Sequence, residues 1–233
     1  MHVTDEIKRR EFLNRTSGVL GLLALGETLG DATALAEESG AKALLPDLAA
    51  LEKLIKEMEA DGPLYLALPV KDGQFLSLLV KATQAKRVLE IGTSHGYSAI
   101  WISRGLEETD GKLTTLEILP ERVDMAKKHV GLAGLSRRVT FQEGDAHQMV
   151  PALAGPFDFV FLNADKGGLV DYFNKLLPKK LSLGGIIVAY CAIKQREKMK
   201  AYLDLVAGHP DFDTVVLSCT MDDGFAVSYR KRK

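Results

Sequence analysis

An acidic residue and two glycines stand at a spacing that could hold a small charged molecule. The stretch VLEIGTSHGYSAIW (88–101) begins as an apolar strand and continues through Glu90, Gly92 and Gly96 into a segment of helical character. Glycine at position 92 allows a sharp turn and a close approach of the backbone, and the N-terminus of the following helix presents free N–H groups. The turn is therefore a candidate binding site.

Two common nucleotide-binding motifs do not match this turn. A dinucleotide fingerprint would need glycine at 92, 94 and 97, but the chain has Ser94 and Tyr97 at the last two positions. A phosphate-binding loop would need Gly-Lys-Ser or Gly-Lys-Thr, and the sequence contains neither. A nicotinamide-dependent dehydrogenase is therefore disfavoured and stays a competing hypothesis.

Two more acidic residues follow the next two predicted strands. Glu117 ends TTLEI, where a carboxylate can accept hydrogen bonds from both ribose hydroxyls. Asp145, in EGDAHQ, can accept a hydrogen bond from an adenine amine, and Glu90 adds negative potential that suits a cation. Each acid alone could equally cap a helix. Three acids at successive strand ends favour a nucleoside that carries an amino acid and a positive charge.

These residues need a scaffold in which successive strands end at one edge. Hydrophobic periodicity predicts helices over 46–60, 70–83, 97–106, 120–132, 147–153, 169–177 and 194–206. Strands are predicted over 85–92, 112–118, 137–144, 157–164, 184–190, 211–218 and 224–231. This alternation predicts an α/β fold with a mostly parallel sheet and helices on both faces. The last two strands are separated only by a short turn, so they should pair antiparallel.

The charge balance limits the class of partner. The 233 residues include 30 Lys and Arg against 31 Asp and Glu, so no nucleic-acid partner or anionic membrane is expected. The two cysteines, Cys191 and Cys219, have neither disulfide-framework nor metal-ligand spacing and are expected to be buried thiols. A small molecule is the expected partner.

Residues 1–45 are predicted to form an N-terminal extension to a domain of 46–233. KRREFLN (8–14) precedes an apolar run, and Ala34 and Ala36 could form a cleavage site, as is typical of a twin-arginine export signal. The apolar run is too short for stable membrane insertion. The alternative is a pair of amphipathic helices used in packing or dimerisation. Export is expected if the segment is a signal, and a cytoplasmic location if it is uncleaved.

Several motifs together resemble those of a known enzyme family. GQFLSLLVKATQAKRVLEIGTSHGYSAIWIS, EGDA, FDFVFLNADK, LSLGGIIV and DGFAVSYRK occur in the order seen in class I S-adenosylmethionine-dependent O-methyltransferases. Within that class, the chain is similar to the caffeoyl-CoA and catechol group between Leu68 and Lys231. The resemblance implies a Rossmann-like sheet of seven strands with an antiparallel last strand, S-adenosylmethionine as the cofactor, and a homodimer. We predict that the methyltransferase domain comprises residues 46–233.

The same resemblance implies which residues contact the cofactor. These positions are Glu90, Gly92, Ser94, Gly96, Tyr97, Ser98, Glu117, Asp145 and Ala146, with Asn163 counted among them. The glycine turn is then expected to hold the methionine part of S-adenosylmethionine.

The sequence departs from the family at the expected metal site. The relatives hold a divalent metal with the first Asp of an Asp-x-Asp-Lys motif and with an Asp-Asn pair after the fifth strand. Here the motif reads NADK, with the neutral Asn163 first, and Tyr190 and Cys191 replace the pair. Because hard divalent cations prefer several charged or carbonyl oxygens, we predict that this protein does not use the family's metal.

Two residues near this position are candidates for catalysis. Lys166 stands where the family has its catalytic lysine, and a partly desolvated lysine with a lowered pKa could act as a general base. Tyr190 could orient the acceptor or relay its proton. The alternatives are a solvated lysine and a tyrosine that fills the place of the lost metal. His95, in the glycine turn, is a weaker candidate for the base.

The sequence therefore predicts a metal-independent S-adenosylmethionine-dependent methyltransferase that acts on a small hydroxylated aromatic acceptor. The competing hypothesis is a protein that has kept the cofactor pocket, has lost turnover, and acts as a binding or partner subunit. The dehydrogenase hypothesis would require that NAD, rather than S-adenosylmethionine, stabilises the fold.

Overall fold

In the computed structural model, the described residues are 53, 54, 58, 68–219 and 223–233. All of them belong to one compact unit that spans 46–233. The predicted extension of 1–45, with its export-signal motif, lies outside the described residues, as does most of the predicted helix over 46–60. Lys53, Leu54 and Met58 from that segment are helical.

The strands of the described residues confirm the predicted sheet. They are β1 (Arg87–Ile91), β2 (Lys112–Glu117), β3 (Val139–Glu143), β4 (Phe157–Leu162), β5 (Leu181–Tyr190), β6 (Phe212–Leu217) and β7 (Phe225–Arg230). They form one seven-stranded sheet in the order β3-β2-β1-β4-β5-β7-β6. Strands β1 to β5 pair in parallel, whereas β7 is antiparallel to both β5 and β6. The chain direction across the sheet reverses between β1 and β4.

The helices of the described residues flank this sheet. They are α1 (Val70–Ala82), α2 (Tyr97–Thr109), α3 (Pro120–Leu132), α4 (Ala146–Met149), α5 (Leu169–Leu176) and α6 (Lys200–Gly208). The predicted helix over 147–153 is in fact α4 followed by a 3-10 turn at Val150–Ala152. The predicted strand over 137–144 begins only at Val139, because the residues before it form another 3-10 turn.

The predicted helix over 194–206 was wrong in its first part, since α6 begins at Lys200. Residues 191–199 form a series of turns instead. The N–H groups of Ile193 and Lys194 donate to the carbonyl of Asp223 at 2.9 and 3.2 Å, so these groups bind the loop before β7. This arrangement brings the turn segment 191–199 beside the carboxyl end of β5.

The two central strands, β1 and β4, are buried and hold the core together. Leu89, Phe159 and Phe161 have no exposed surface, and the predicted core residue Trp101 is 1% exposed. Full burial of such a side chain contributes about 1.5–3 kcal/mol. The second predicted core aromatic, Phe75, is partly buried against this cluster. The rigid core fixes where the carboxyl ends of the strands lie.

Two smaller expectations concern membrane-spanning helices and the thiols. Within the part of the chain that the structure describes, no helix is both long enough and apolar enough to cross a bilayer. Both cysteines are free thiols; Cys191 is buried and Cys219 is partly exposed. The expectation of a buried thiol therefore holds fully for Cys191 and only in part for Cys219.

Candidate active site

A cavity of about 950 Å³ opens at the carboxyl ends of the central strands. Its wall consists of the loops that follow β1 to β4, together with Gln195 and Lys198 from the turn segment 191–199. The cavity volume lies at the upper end of the range for small-molecule sites, about 300–1,000 Å³. In open α/β sheets, ligands bind where the direction of the strand order reverses, and the cavity lies at that point.

Seven of the residues predicted from the sequence meet on the wall of this cavity. They are Gly92, Ser94, Glu117, Asp145, Ala146, Asn163 and Lys166. The residues of the predicted set that do not line it are Glu90, Gly96, Tyr97, Ser98 and Tyr190.

The glycine turn after β1 has the geometry that the sequence predicts. Gly92 and Gly96 have φ angles of +96° and +86°, in the left-handed region that favours glycine. A Cβ atom at position 92 would lie 2.7 Å from the carbonyl oxygen of Asn163. Gly92 therefore allows the turn and also lets the loop after β4 approach it closely.

Glu117 fixes the turn to the end of β2. Its Oε2 accepts a hydrogen bond from the N–H of Ser94 at 2.8 Å. Its Oε1 accepts from the N–H groups of Ile118 and Leu119 at 3.0 and 3.2 Å. A carboxylate has about four lone-pair sites, so Glu117 can still accept hydrogen bonds from hydroxyl groups in the cavity.

Asp145 combines the two roles that the sequence left open. Its Oδ1 accepts from the N–H of His147 at 2.8 Å, so the side chain caps α4. The same residue also lines the cavity. The helix-cap alternative thus holds without excluding a contact between Asp145 and a ligand.

Glu90 lies behind the turn and not on the cavity wall. Its carboxylate is fully buried and accepts hydrogen bonds from the hydroxyls of Ser98 at 2.5 Å and Thr115 at 2.6 Å. Burial raises the pKa of Glu90 to about 7. Gly96 and Tyr97 are also absent from the wall. Contact of these residues with the cofactor stays a prediction.

Lys166 is a buried lysine that reaches the cavity. Its side chain is 9% exposed, and its Nζ donates a hydrogen bond to Oδ1 of Asn163 at 3.3 Å. Burial lowers the pKa of Lys166, while Cys191, Asp165 and Asp223 act in the opposite direction. A lowered pKa is the property that a lysine needs to act as a general base near neutral pH.

Tyr190 ends β5 and is almost fully buried, with 1% of its surface exposed. Its hydroxyl donates a hydrogen bond to Oδ2 of Asp223 at 2.6 Å. Burial, and then this bond, raise the pKa of Tyr190 above its ordinary value. The geometry thus favours a positioning role over proton relay, because Tyr190 does not ionise readily and does not line the cavity.

The side chains at the family's metal positions do not fit a divalent cation. The amide oxygen of Asn163 already accepts a hydrogen bond from Lys166 Nζ, and the Tyr190 hydroxyl donates to Asp223. Burial raises the pKa of the Cys191 thiol, so the neutral form is favoured. Among the described residues, no group of three His, Cys, Asp or Glu side chains is placed to hold a metal ion.

The sequence alone did not identify a cluster that forms the adjoining wall. The Nδ1 atom of His147 lies 2.5 Å from Oδ2 of Asp171, and its ring stacks on Tyr172 with centroids 4.2 Å apart. The Tyr172 hydroxyl donates to Asp165 at 2.7 Å. No local sequence pattern indicates this cluster, because His147 and Asp171 are 24 residues apart. Gly168 leaves room for it, since a Cβ atom there would lie 2.5 Å from the His147 ring.

His95, the weaker candidate for the base, is not on the cavity wall. Its Nδ1 lies 3.1 Å from the Ser94 hydroxyl oxygen. Burial lowers its pKa, with a further contribution from the charge of Arg122. This geometry favours a role in supporting the turn.

Comparisons with known proteins agree on one family. The family model described as O-methyltransferase matches residues 40–197. A catechol O-methyltransferase of Mycobacterium tuberculosis is 34% identical over 177 residues, which cover 70% of this chain and 80% of that protein. A catechol O-methyltransferase of Niastella koreensis is 42% identical over 120 residues, which cover 50% of this chain and 53% of the relative. The chain thus spans about half the length of the Niastella protein.

The fold also matches a solved structure with a bound ligand. An O-methyltransferase from Bacillus cereus, solved in complex with SAH, superimposes with a TM-score of 0.72 at 28% sequence identity. The superposition covers 81% of this chain and 94% of the Bacillus protein.

Proposed function

The chain belongs to the O-methyltransferase family, and from that premise we propose that it transfers a methyl group from S-adenosylmethionine to a hydroxyl of a small aromatic acceptor without a divalent metal. The observation that carries this proposal is the position of Lys166. It is a buried lysine with a lowered pKa on the wall of the cavity that the glycine turn also lines.

The support for the cofactor comes from the glycine turn and the acids around it. Gly92 and Ser94 line the cavity beside Glu117, whose carboxylate is already oriented by three backbone N–H groups. These features suit a ribose and an amino acid, and the Bacillus relative is solved with SAH. The family's use of S-adenosylmethionine thus agrees with the local chemistry.

Methyl transfer is an in-line displacement in which the acceptor oxygen attacks the methyl carbon of the sulfonium. The new C–O bond forms as the S–C bond breaks, and its electron pair stays on sulfur to give S-adenosylhomocysteine. The acceptor's hydroxyl proton passes to neutral Lys166 Nζ. A positioned general base contributes about 10²–10⁴-fold to the rate, and alignment of the two ligands contributes up to about 7–11 kcal/mol.

The donor set at the end of β4 and β5 supports metal independence. Asn163, Tyr190 and Cys191 supply one amide oxygen, one hydroxyl and one thiol where the relatives are expected to have two carboxylates and one amide. Hard cations bind weakly to such a set. Lys166 therefore supplies the base, and Tyr190 positions the loop through Asp223.

Two further parts of the proposal concern assembly and location. The family resemblance supports a homodimer, which light scattering of the purified chain tests directly. The twin-arginine motif supports export, yet S-adenosylmethionine is made in the cytosol. Mass spectrometry of the N-terminus from the native host decides this point: a chain that begins near Glu37 indicates export, and an intact residue 1 indicates retention.

The proposal is tested by transfer of a labelled methyl group from S-adenosylmethionine to a panel of catechols and simple phenols. Turnover with any acceptor supports the enzyme and eliminates a pure binding subunit. Saturable binding of S-adenosylmethionine with no turnover on any acceptor supports the binding subunit instead. Thermal stabilisation by NAD, but not by S-adenosylmethionine, would support the dehydrogenase hypothesis.

A further inference from the structure

A second cavity, of about 240 Å³, opens where the parallel strands begin, at the edge of the sheet opposite the candidate active site. Strand β1 begins at Arg87, which lines this second cavity, and ends at Ile91, which lines the first. At about 3.3 Å per residue, the two ends of the strand are about 13 Å apart. We use the name amino-end cavity for the space between Arg87, Lys112, Leu153 and Phe157.

Two positively charged side chains lie next to each other in the amino-end cavity. Arg87 and Lys112 are register partners on the neighbouring strands β1 and β2. Both side chains are exposed, and both line the cavity. Like charges placed opposite each other on neighbouring strands destabilise a sheet. An anion that binds between the two side chains would relieve this repulsion.

The hydrogen-bond partners of these two cations are neutral. The Nη1 and Nη2 atoms of Arg87 donate to the carbonyls of Gly155 and Ala154 at 3.2 and 2.6 Å. The Nζ atom of Lys112 donates to the carbonyl of Arg137 at 2.6 Å. A guanidinium group has five N–H donors and an ammonium group has three. Both side chains therefore keep their charge and have donors left for a ligand.

The nearest carboxylates are bound to other groups. Among the described residues, no Asp or Glu lines the amino-end cavity. Asp110 lies 2.6 Å from Arg138, and this contact is the main cause of its lowered pKa, with a smaller contribution from the charge of Lys112. Asp158 accepts hydrogen bonds from two backbone N–H groups and one hydroxyl. The cavity wall itself thus carries positive charge without a compensating acid.

The rest of the wall combines polar donors with an apolar base. The guanidinium group of Arg87 lies 5.8 Å from the centroid of the Phe157 ring, and Leu153 lines the cavity beside this ring. Thr114 and Gln142 add a hydroxyl and an amide that can both donate hydrogen bonds. An inorganic ion would use only the cations and donors, whereas an organic anion would also cover the apolar base.

We propose that the amino-end cavity is a second ligand site, which binds a small organic anion with a single ring. Its carboxylate or phosphate group bridges Arg87 and Lys112, and its ring lies against Leu153 and Phe157. Hydrogen bonds between charged partners are about twice as strong as neutral ones. The volume of about 240 Å³ is below the range of about 300–1,000 Å³ for drug-sized ligands, which suits a single ring.

The test is calorimetric titration of the full chain in the presence of S-adenosylhomocysteine, with four probes: phenyl phosphate, benzoate, benzyl alcohol and inorganic phosphate. We expect phenyl phosphate or benzoate to bind with one molecule per chain. The tighter of the two should bind at least about tenfold more tightly than benzyl alcohol and inorganic phosphate, a difference of about 1.4 kcal/mol. Whichever binds more tightly identifies the anionic group that the site prefers.

Variants of Lys112 locate the bound anion. Lys112→Met should weaken binding at least about tenfold, whereas Lys112→Arg keeps the charge and should retain binding. Lys86 offers a matched control, because it is an exposed lysine at the same edge of the sheet that does not line the cavity. Lys86→Met removes the same charge and should leave the affinity unchanged.

Four results would overturn the inference. An equal loss of affinity in Lys86→Met would assign binding to the general charge of this edge. Equal affinity for inorganic phosphate and phenyl phosphate would indicate an adventitious ion only, and equal affinity for benzyl alcohol would exclude a role for the cations. A loss in Lys166→Met but not in Lys112→Met would place the ligand in the active-site cavity. Because the readout is binding, it stays decisive whether or not the chain transfers methyl groups.

Discussion

The cofactor side of the cavity, at the ends of β1 to β3, differs from the acceptor side in what holds its functional groups. At the cofactor side, Glu117 and Asp145 are oriented mainly by backbone N–H groups. At the acceptor side, the part of the wall that Asn163 and Lys166 form after β4, Lys166 is held by the side chain of Asn163. Tyr190, at the end of β5 and off the cavity wall, is held by the side chain of Asp223. Backbone contacts depend on the fold, whereas side-chain contacts depend on a few residues. The acceptor side can therefore change its chemistry while the sheet stays the same.

Gly92 lies where the loop after β1 closely approaches the loop after β4. We expect its substitution to have the largest effect. Gly92→Ala places a non-glycine residue at positive φ, which costs about 1–2 kcal/mol, and sets a Cβ atom 2.7 Å from the Asn163 carbonyl. We expect S-adenosylmethionine binding and turnover to be lost and the melting temperature to fall. Calorimetry and thermal unfolding measure both effects.

Gly134 provides the control for this variant. It also has a positive φ, of +72°, but a Cβ atom there would have nothing within 4 Å. Gly134→Ala should lower stability by the conformational cost alone and keep cofactor binding. If both variants bind S-adenosylmethionine equally well, the close approach of the two sides does not matter for the cofactor.

Lys166→Arg is the next largest test, and it affects only the acceptor side. Arginine keeps the positive charge but does not deprotonate, so kcat should fall by about 10²–10⁴-fold while the Kd for S-adenosylmethionine stays unchanged. Lys200→Arg serves as the control, because Lys200 is an exposed lysine that pairs with Asp204 and does not line the cavity. Retention of more than a tenth of the wild-type kcat would exclude Lys166 as the base.

The pH dependence of kcat, measured for the wild type and for Lys166→Arg, tests this prediction further. A general base works in its neutral form, so the wild-type kcat should rise with pH through the pKa of Lys166. Burial places that pKa below its ordinary value of 10.5. Lys166→Arg should lack this rise. An identical pH profile in both proteins would assign the titration to another group.

Glu90 gives a prediction for stability on the cofactor side. Its folded-state pKa of about 7 lies above the ordinary 4.5, so the unfolded chain releases the proton at lower pH than the folded chain. The contribution of Glu90 to stability is fully present below pH 4.5 and is lost as the pH rises through about 7. The loss is up to about 3 kcal/mol. Denaturant unfolding of the cofactor-free protein should show this decline, and Glu90→Gln should show less of it. Parallel pH curves for the two proteins would contradict this origin.

Tyr190→Phe is expected to have the smallest effect. The variant loses the hydrogen bond to Asp223 but keeps the buried ring, so stability should fall by about 0.5–1.5 kcal/mol. Because Asp223 retains its contact with Lys194, we expect less than about a fivefold loss in kcat, about 1 kcal/mol. Steady-state kinetics measure this. A loss as large as that of Lys166→Arg would instead assign proton relay to the Tyr190 hydroxyl.

The sequence predicted most reliably those features that follow directly from a strand end. The alternation of strands and helices, the turn at Gly92 and the positions of Glu117 and Lys166 on the cavity wall all follow from the local sequence pattern and the geometry of parallel strands. Glu90 was harder, because strand periodicity does not show which side of the turn its carboxylate faces. The partners Asp223 and Asp171 were missed because each comes from an element distant in sequence. The start of α6 was misplaced because the loop before β7 captures the N–H groups of residues 193 and 194.

The most direct test of metal independence is the initial rate of methyl transfer from S-adenosylmethionine, measured once with magnesium and once with EDTA after removal of bound metal. We predict equal rates, because the ends of β4 and β5 supply a lysine base and an amide where a metal would need charged ligands. A rate that appears only with magnesium would contradict it, since Asn163 and its neighbours would then ligate a cation in spite of their contacts with Lys166 and Asp223.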